Sequence, residues 1–133
     1  MTTSKTILLV EDDSALRLVV KKALEAQGYT VVPAEDAVEA NAIVRLRGGI
    51  IDLLLADINL PGLTGSEYAE FRKDVNPNLK ILYMSGAPAD PLVRQHLRSG
   101  TASFIAKPFS NEELVVAVKR ALGELPPDPS AFQ

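Results

Sequence analysis

Five short apolar runs alternate with five helix-like segments along the 133-residue chain, and this alternation limits the possible folds more than any other feature. The apolar runs cover residues 6–10, 30–34, 50–56, 80–85 and 103–106. The helix-like segments are expected over about 15–24, 37–47, a third stretch that ends near 76–78, 91–100 and 110–123. Strands that alternate with helices in this way are typical of a parallel sheet whose two faces are both covered by helices. The sequence therefore predicts a doubly wound α/β fold with five parallel strands.

Local signals indicate where the helices begin and end. Apolar residues recur at helical spacing from Ala15 to Leu24, and Gly28 follows as the expected stop. Ser110 and Glu113 have the spacing of a capping box, which predicts the start of the last helix. Three residues at helical spacing are expected to mark one face of the third helix: Tyr68, Phe71 and Val75.

The position of one proline favours a particular strand order. Pro33 lies in the second apolar run and cannot donate a backbone hydrogen bond, so this strand is expected at an edge of the sheet. The flavodoxin-like order 2-1-3-4-5 places the second strand there. We expect one domain over residues 1–123, followed by a Pro-rich tail over 124–133 that is expected to be disordered.

Composition narrows the classes of function. The chain has no cysteine, which rules out disulfides and thiolate metal sites, and its net charge of −3 argues against direct nucleic-acid binding. The apolar run near the N-terminus is too short for a signal peptide or a membrane span. These features are consistent with a cytoplasmic protein that binds no membrane.

Three acidic residues are expected at one rim of the sheet. Asp12 and Asp13 follow the first strand, and Asp57 ends the third strand, which is otherwise almost entirely apolar. The carboxyl ends of parallel strands lie on one rim, and the ligand crevice of this fold opens between the first and third strands. Neighbouring carboxylates repel one another unless a cation lies between them. Their hard oxygen ligands predict a site for Mg²⁺ (or Mn²⁺).

Two further groups reach the same rim and indicate a phosphoryl site. Ser85 ends the fourth strand with a hydroxyl group, and Lys107 follows the fifth strand with an ammonium group. A carboxylate beside a divalent ion, a hydroxyl and a lysine can form and hold an acyl phosphate. In this interpretation Asp57 is the nucleophile, and Lys107 offsets the charge of the phosphoryl group.

Four motifs in this order resemble the receiver domain of response regulators in two-component signalling. They are the acidic "EDD", the turn "DINLPGLTG", the "MSGA" that ends the fourth strand and the "FIAKPF" that contains the lysine, and the resemblance covers about residues 5–123. It implies that Asp57 is a phosphoacceptor, supplied by a phosphohistidine of a sensor histidine kinase. It also implies that Asp13, Asp57 and the backbone carbonyl of Asn59 bind the metal directly, while Asp12 acts through water.

The resemblance assigns roles to the remaining motif residues. Ser85 and Lys107 would hold the phosphoryl group, and Lys107–Pro108 would be a cis peptide bond. Phe104 would be an aromatic switch that follows Ser85, and the fourth helix, fifth strand and fifth helix would form the output surface for a downstream protein or a homodimer. The small Ala87 would leave the phosphoryl group open to water.

Each residue also has a simpler interpretation. Asp12 or Asp13 alone would most often cap a helix, and Phe104 alone would be a core residue. His96, the only histidine, is expected to be an ordinary surface residue rather than a phosphohistidine or a metal ligand.

The sequence leaves open three functions for the chain other than that of a stand-alone switch. One is a receiver from a hybrid histidine kinase, which would pass phosphate to a histidine phosphotransfer protein. Another is a small Mg²⁺-dependent phosphohydrolase, although Asn59 lies where such enzymes carry an acid. The third is a protein–protein module whose acidic site is unused. We expect a regulatory phosphoacceptor rather than an enzyme, with only intrinsic self-phosphorylation and dephosphorylation.

Overall fold

The computed structural model describes residues 4–86 and 91–126 and contains five strands and five helices within them. The strands are β1 Thr6–Val10, β2 Thr30–Ala34, β3 Leu53–Asp57, β4 Lys80–Ser85 and β5 Ser103–Ala106. The helices are α1 Ser14–Glu25, α2 Ala37–Leu46, α3 Gly65–Val75, α4 Pro91–Arg98 and α5 Asn111–Ala121. The expectations for Ala87 and for the tail from residue 127 onward lie outside the described residues.

The sheet has the predicted order β2-β1-β3-β4-β5, and all four strand pairs are parallel. Pro33 lies opposite Leu9 in the edge strand β2, where its missing N–H group leaves no gap between two central strands. In the sheet centre, Val10 pairs with Ala56 and Asp57 pairs with Met84. This register brings the ends of β1, β3 and β4 to the same rim.

Two apolar clusters, one on each face, cover the sheet. The first joins the sheet to α2, α3 and α4, through residues such as Val44, Tyr68 and Val93. The second joins it to α1 and α5, through residues such as Leu24 and Leu114. Helices therefore pack on both faces, as the apolar strands predicted.

One expected boundary was wrong, and the face expected in the third helix is buried at only one of its three residues. The third strand begins at Leu53 rather than at residue 50, because Ile50 is 72% exposed and the carboxylate of Asp52 accepts a hydrogen bond from the backbone N–H of Thr6. In α3, Tyr68 is buried, but Phe71 and Val75 are 48% and 61% exposed.

Helix ends follow the capping signals closely. The side chains of Ser110 and Glu113 form the predicted capping box at the start of α5, and Thr64 with Glu67 forms a second one at the start of α3. Each box satisfies backbone N–H groups that have no partner within the helix. Within the described residues, no helix is both long and apolar enough to cross a membrane.

Gly65 provides a test of how tightly α3 packs against the end of β3. A Cβ atom at this position would overlap the carbonyl oxygen of Asp57, whereas a Cβ at Gly86 would meet no described atom within 4 Å. We expect Gly65→Ala to lower the free energy of unfolding by about 1–3 kcal/mol. Urea denaturation measures this loss. The matched Gly86→Ala should stay within about 0.5 kcal/mol of the wild type, and equal effects of the two changes would contradict the close packing.

Candidate functional site

Lys107 connects the ends of two central strands through its ammonium group. Its Nζ lies 2.6 Å from Oε1 of Glu11 and 2.7 Å from Oδ2 of Asp57, so one cation pairs with two carboxylates. Burial alone would lower the pKa of Lys107, but its hydrogen bonds and charge attraction to Asp57 and Glu11 raise the pKa above its usual value. The lysine is therefore a fixed positive charge at the rim.

Glu11 is fully buried directly after β1, and all its polar atoms are engaged. Its backbone N–H donates to Ala34, its carbonyl accepts from the guanidinium of Arg17, and its carboxylate accepts from Lys107 and from the N–H of Asp13. Burial raises the pKa of Glu11 to about 7, although the hydrogen bond from Lys107 works in the opposite direction. The charged form of the Glu11 carboxyl group is therefore energetically unfavourable in this buried position.

Asp57 ends β3 and is only 6% exposed. Its Oδ1 accepts a hydrogen bond of 2.8 Å from the backbone N–H of Asn59, while Oδ2 accepts from Lys107. The loop that follows can turn this closely because Gly65 leaves room for the Asp57 carbonyl. Both carboxylate oxygens are therefore oriented by the fold, which suits a positioned nucleophile.

The carboxylates at the rim form a group that could hold a cation. Ligand oxygens of Glu11, Asp12 and Asp57 all lie within 4.8 Å of one another. Asp12 is exposed, whereas the other two are buried. Three hard oxygen donors with one open side fit Mg²⁺ or Mn²⁺, which keep several water ligands.

Asp13 does not join this group, which differs from the sequence expectation that it would be a direct metal ligand. Its carboxylate caps α1 and accepts hydrogen bonds from the N–H groups of Ala15 and Leu16. The Asp13 side chain is therefore used by the helix N-terminus, and the acidic group around Asp57 consists of Glu11 and Asp12 instead. Glu11 occupies the place in the acidic group that was expected for Asp13.

Ser85 and the two residues of the cis peptide also lie at this rim. Ser85 is fully buried at the end of β4, and its carbonyl accepts a hydrogen bond from the N–H of Lys107. The Lys107–Pro108 peptide bond is cis. Ser85 pairs with Ala106, so the strand end that carries the serine lies beside the strand end that leads to the lysine.

Phe104 lies farther from the rim, in β5. It is half-buried and packs against the apolar cluster that contains α4. It pairs with Tyr83, whose neighbour two residues on is Ser85. Phe104 is thus linked to the rim through Tyr83, which lies beside it in the sheet and two residues before Ser85.

Sequence reasoning missed Glu11 as a member of the site. The available signal was the start of α1: Asp13 stands directly before Ser14 and the helical stripe, which makes it the natural N-cap. Once Asp13 is assigned to the cap, Glu11 and Asp12 remain as the acidic pair that faces β3.

Comparison with known proteins gives consistent results. A family model described as the response regulator receiver domain matches residues 7–119. The response regulator receiver protein CpdR of Brucella abortus is 36% identical over 118 residues, which are 89% of this chain and 97% of CpdR. The sensor kinase CckA of the same organism is 34% identical over 119 residues, which are 90% of this chain but 13% of CckA.

The fold comparison agrees with the sequence comparison. The crystal structure of a CheY-like response regulator receiver domain protein from Methanospirillum hungatei matches with a TM-score of 0.81 at 31% identity, over 92% of this chain and 96% of that chain. The chain thus spans nearly all of CpdR and of the Methanospirillum hungatei protein, but only a small part of the sensor kinase CckA.

Removing the ammonium group of Lys107 should destabilise the fold when no divalent metal ion is present. Lys107→Met leaves the carboxylates of Glu11 and Asp57 without their donor, and we expect the free energy of unfolding at pH 8 in EDTA to fall by about 1–3 kcal/mol. Chemical denaturation measures the change. The control Lys21→Met removes a surface pair with Glu25 and should change stability by less than about 1 kcal/mol; similar losses would argue against a structural role for the Lys107 pairs.

The raised pKa of Glu11 predicts a pH dependence of stability. Because its pKa rises from 4.5 to about 7 on folding, its stabilising contribution is fully present below pH 4.5 and is lost as the pH rises to about 7. In EDTA, the wild type should lose about 1–3 kcal/mol more stability than Glu11→Gln between pH 5 and pH 8. Glu25→Gln, at an exposed acid, should follow the wild type; parallel curves for wild type and Glu11→Gln would contradict this assignment.

Proposed function

The chain belongs to the response regulator receiver family of phosphoacceptor signalling switches, and on this basis we propose that Asp57 accepts a phosphoryl group in a Mg²⁺-dependent reaction. The observation that carries the proposal is the ion pair of Asp57 with Lys107 beside Glu11 and Asp12. It combines a positioned carboxylate with a cation and with oxygen ligands for a metal. These are the parts that phosphoryl transfer to an aspartate needs.

The metal would be held by the carboxylates of Asp12 and Asp57 and by the backbone carbonyl of Asn59. Glu11, which is buried and bonded to Lys107, would contribute through a water molecule. Asp12 takes the direct role that the sequence suggested for Asp13. When bound, Mg²⁺ or Mn²⁺ supplies positive charge that neutralises the phosphoryl oxygens.

In the proposed reaction, a carboxylate oxygen of Asp57 attacks the phosphorus atom of a phosphohistidine. A new phosphorus–oxygen bond forms while the phosphorus–nitrogen bond breaks, and the imidazole leaves with the electron pair of that bond. Lys107 exchanges its contact with Asp57 for one with the phosphoryl oxygens, because its ammonium group already lies 2.7 Å from the acceptor. Ser85 donates its hydroxyl to another phosphoryl oxygen.

The response to phosphorylation is proposed to be a change between two states. The added charge draws Ser85 toward the phosphoryl group, and Phe104 moves into the space that is released. Phe104 already packs against the cluster that contains α4, so its movement alters the surface of α4, β5 and α5. This surface is the proposed docking site for a downstream protein or a second copy of the chain.

The proposed phosphodonor is a sensor histidine kinase or a histidine phosphotransfer protein in the cytoplasm. The match to the sensor kinase CckA also supports a second possibility, in which a receiver of this kind forms part of a hybrid kinase and passes phosphate onward. The receiver protein CpdR, which the chain matches over 97% of its length, is a relative of the stand-alone kind. Direct binding of nucleic acid or membrane is not part of the proposal.

The phosphohydrolase alternative has less support. Such enzymes usually carry an acid two residues after the nucleophile, and this chain has Asn59 there, which cannot transfer protons in that role. The function that we propose is therefore that of a regulatory phosphoacceptor, which is modified once per chain and does not turn over phosphate esters.

The phosphoacceptor can be tested with acetyl phosphate. We expect Mg²⁺-dependent labelling of one phosphoryl group per chain, seen by intact-mass spectrometry, and its loss in Asp57→Asn. Asp13→Asn is the matched control, because asparagine also caps helices and Asp13 lies outside the acidic group; it should be labelled like the wild type.

Other results would favour the alternatives. Full labelling of Asp57→Asn would remove this residue as the acceptor. Repeated turnover of a phosphate ester such as p-nitrophenyl phosphate would favour the hydrolase, and no labelling of the wild type would favour an interaction module with an unused site.

A further inference from the structure

Helix α4 is held to the sheet by few apolar contacts. Among its eight residues, Pro91–Arg98, Val93 is the one that is buried, and Leu97 is partly buried against the same cluster. By comparison, α3 buries five of its residues, α2 buries three, and α1 and α5 bury two each. A helix with so small a buried area depends more strongly on any directed bond to the rest of the fold.

One such bond joins α4 to the sheet interior. The hydroxyl of Tyr83, which is fully buried in β4, shares a hydrogen bond of 2.6 Å with Nδ1 of His96 in α4. The two rings are also stacked, with centroids 5.9 Å apart and planes 13° apart. His96 is therefore not an ordinary surface residue but the contact between α4 and a core tyrosine.

Tyr83 lies beside both residues of the proposed switch. It precedes Ser85 by two positions in β4, so their side chains share a face of the sheet. It also pairs with Phe104 in β5, and both aromatic residues pack in the cluster that contains Val93. Any movement of Phe104 toward Ser85 therefore takes place against the ring that holds α4.

We propose that Tyr83 and His96 are a positioning pair that holds α4 in its resting place and thereby limits phosphorylation of Asp57. The inference rests on the proposed function, in which Phe104 moves when Asp57 is modified. When Phe104 moves into the space that Ser85 releases, the cluster that it shares with Val93 of α4 must repack and α4 shifts, and the Tyr83–His96 bond resists that shift. By linkage, an interaction that favours the resting position of α4 must disfavour the phosphorylated state by the same factor.

The anchor itself can be tested without any phosphodonor. Hydrogen exchange of the α4 amides should be about three- to tenfold faster in Tyr83→Phe and in His96→Phe, which keep the stacked rings but lose the bond. The double variant should exchange no faster than either single variant, because both changes remove the same bond. Unchanged exchange in the single variants would overturn the anchor.

Tyr29→Phe provides the matched control. It removes a tyrosine hydroxyl that donates to Glu124, at the opposite end of the sheet. Exchange of the α4 amides should stay at the wild-type rate in this variant. Equal acceleration in Tyr29→Phe and Tyr83→Phe would mean that any lost tyrosine bond loosens α4, and the positioning role would fail.

The link to phosphorylation is tested by the rate of labelling with acetyl phosphate and Mg²⁺. In the proposal the state with α4 shifted is the one that reacts, so the labelling rate follows the population of that state. Tyr83→Phe and His96→Phe should therefore be labelled about three- to tenfold faster than the wild type, while Tyr29→Phe should match it. Faster α4 exchange with unchanged or slower labelling would overturn the coupling. Absence of labelling in the wild type would instead overturn the proposed function, and the exchange rates would then test the anchor on its own.

Discussion

The pairing of one lysine with two buried carboxylates is the interaction on which the rest of this structure depends. Lys107 lies within 2.7 Å of both Glu11 and Asp57, at the ends of strands that are otherwise apolar. Without a cation, two such acids would repel each other in a medium of low dielectric constant. Because the lysine follows β5, its pairs also tie the outer part of the sheet to the centre. The charge balance at the rim therefore depends on residues at the ends of three strands, β1, β3 and β5.

This balance explains why the same groups can serve the resting and the modified protein. In the resting state, the ammonium group of Lys107 offsets acidic charge, and after modification it would offset phosphoryl charge. The surrounding fold limits how far these groups can move, because Glu11 is bonded through both its backbone and its side chain. The part that moves is expected to be α4, which buries one of its eight residues and is bonded to Tyr83 through His96. In the proposed mechanism, the residues that react are therefore held in place by several bonds, while the helix proposed to respond is held by a smaller buried area.

Most of the fold could be predicted from the sequence because the separate signals for strands, helix ends and strand order agreed with one another. Apolar strands indicated a covered parallel sheet, and Pro33 indicated the edge strand. Details that depend on competition between side chains were missed, although the sequence carried a signal for one of them. Three consecutive acids follow β1, and choosing among them required knowing that Asp13 is used by the α1 cap. Likewise, His96 was expected on the surface, because its partner Tyr83 is distant in sequence and looked like an ordinary strand residue.

The most direct test of the account is the location of a divalent ion in crystals grown with Mn²⁺. The anomalous signal of the metal identifies its position independently of the protein coordinates. We predict one peak between Asp12 and Asp57, at a coordination distance of roughly 2–2.5 Å from their carboxylate oxygens, with Lys107 on the opposite side of Asp57. A peak at Asp13, or no peak at the rim when Mn²⁺ is in large excess, would contradict it.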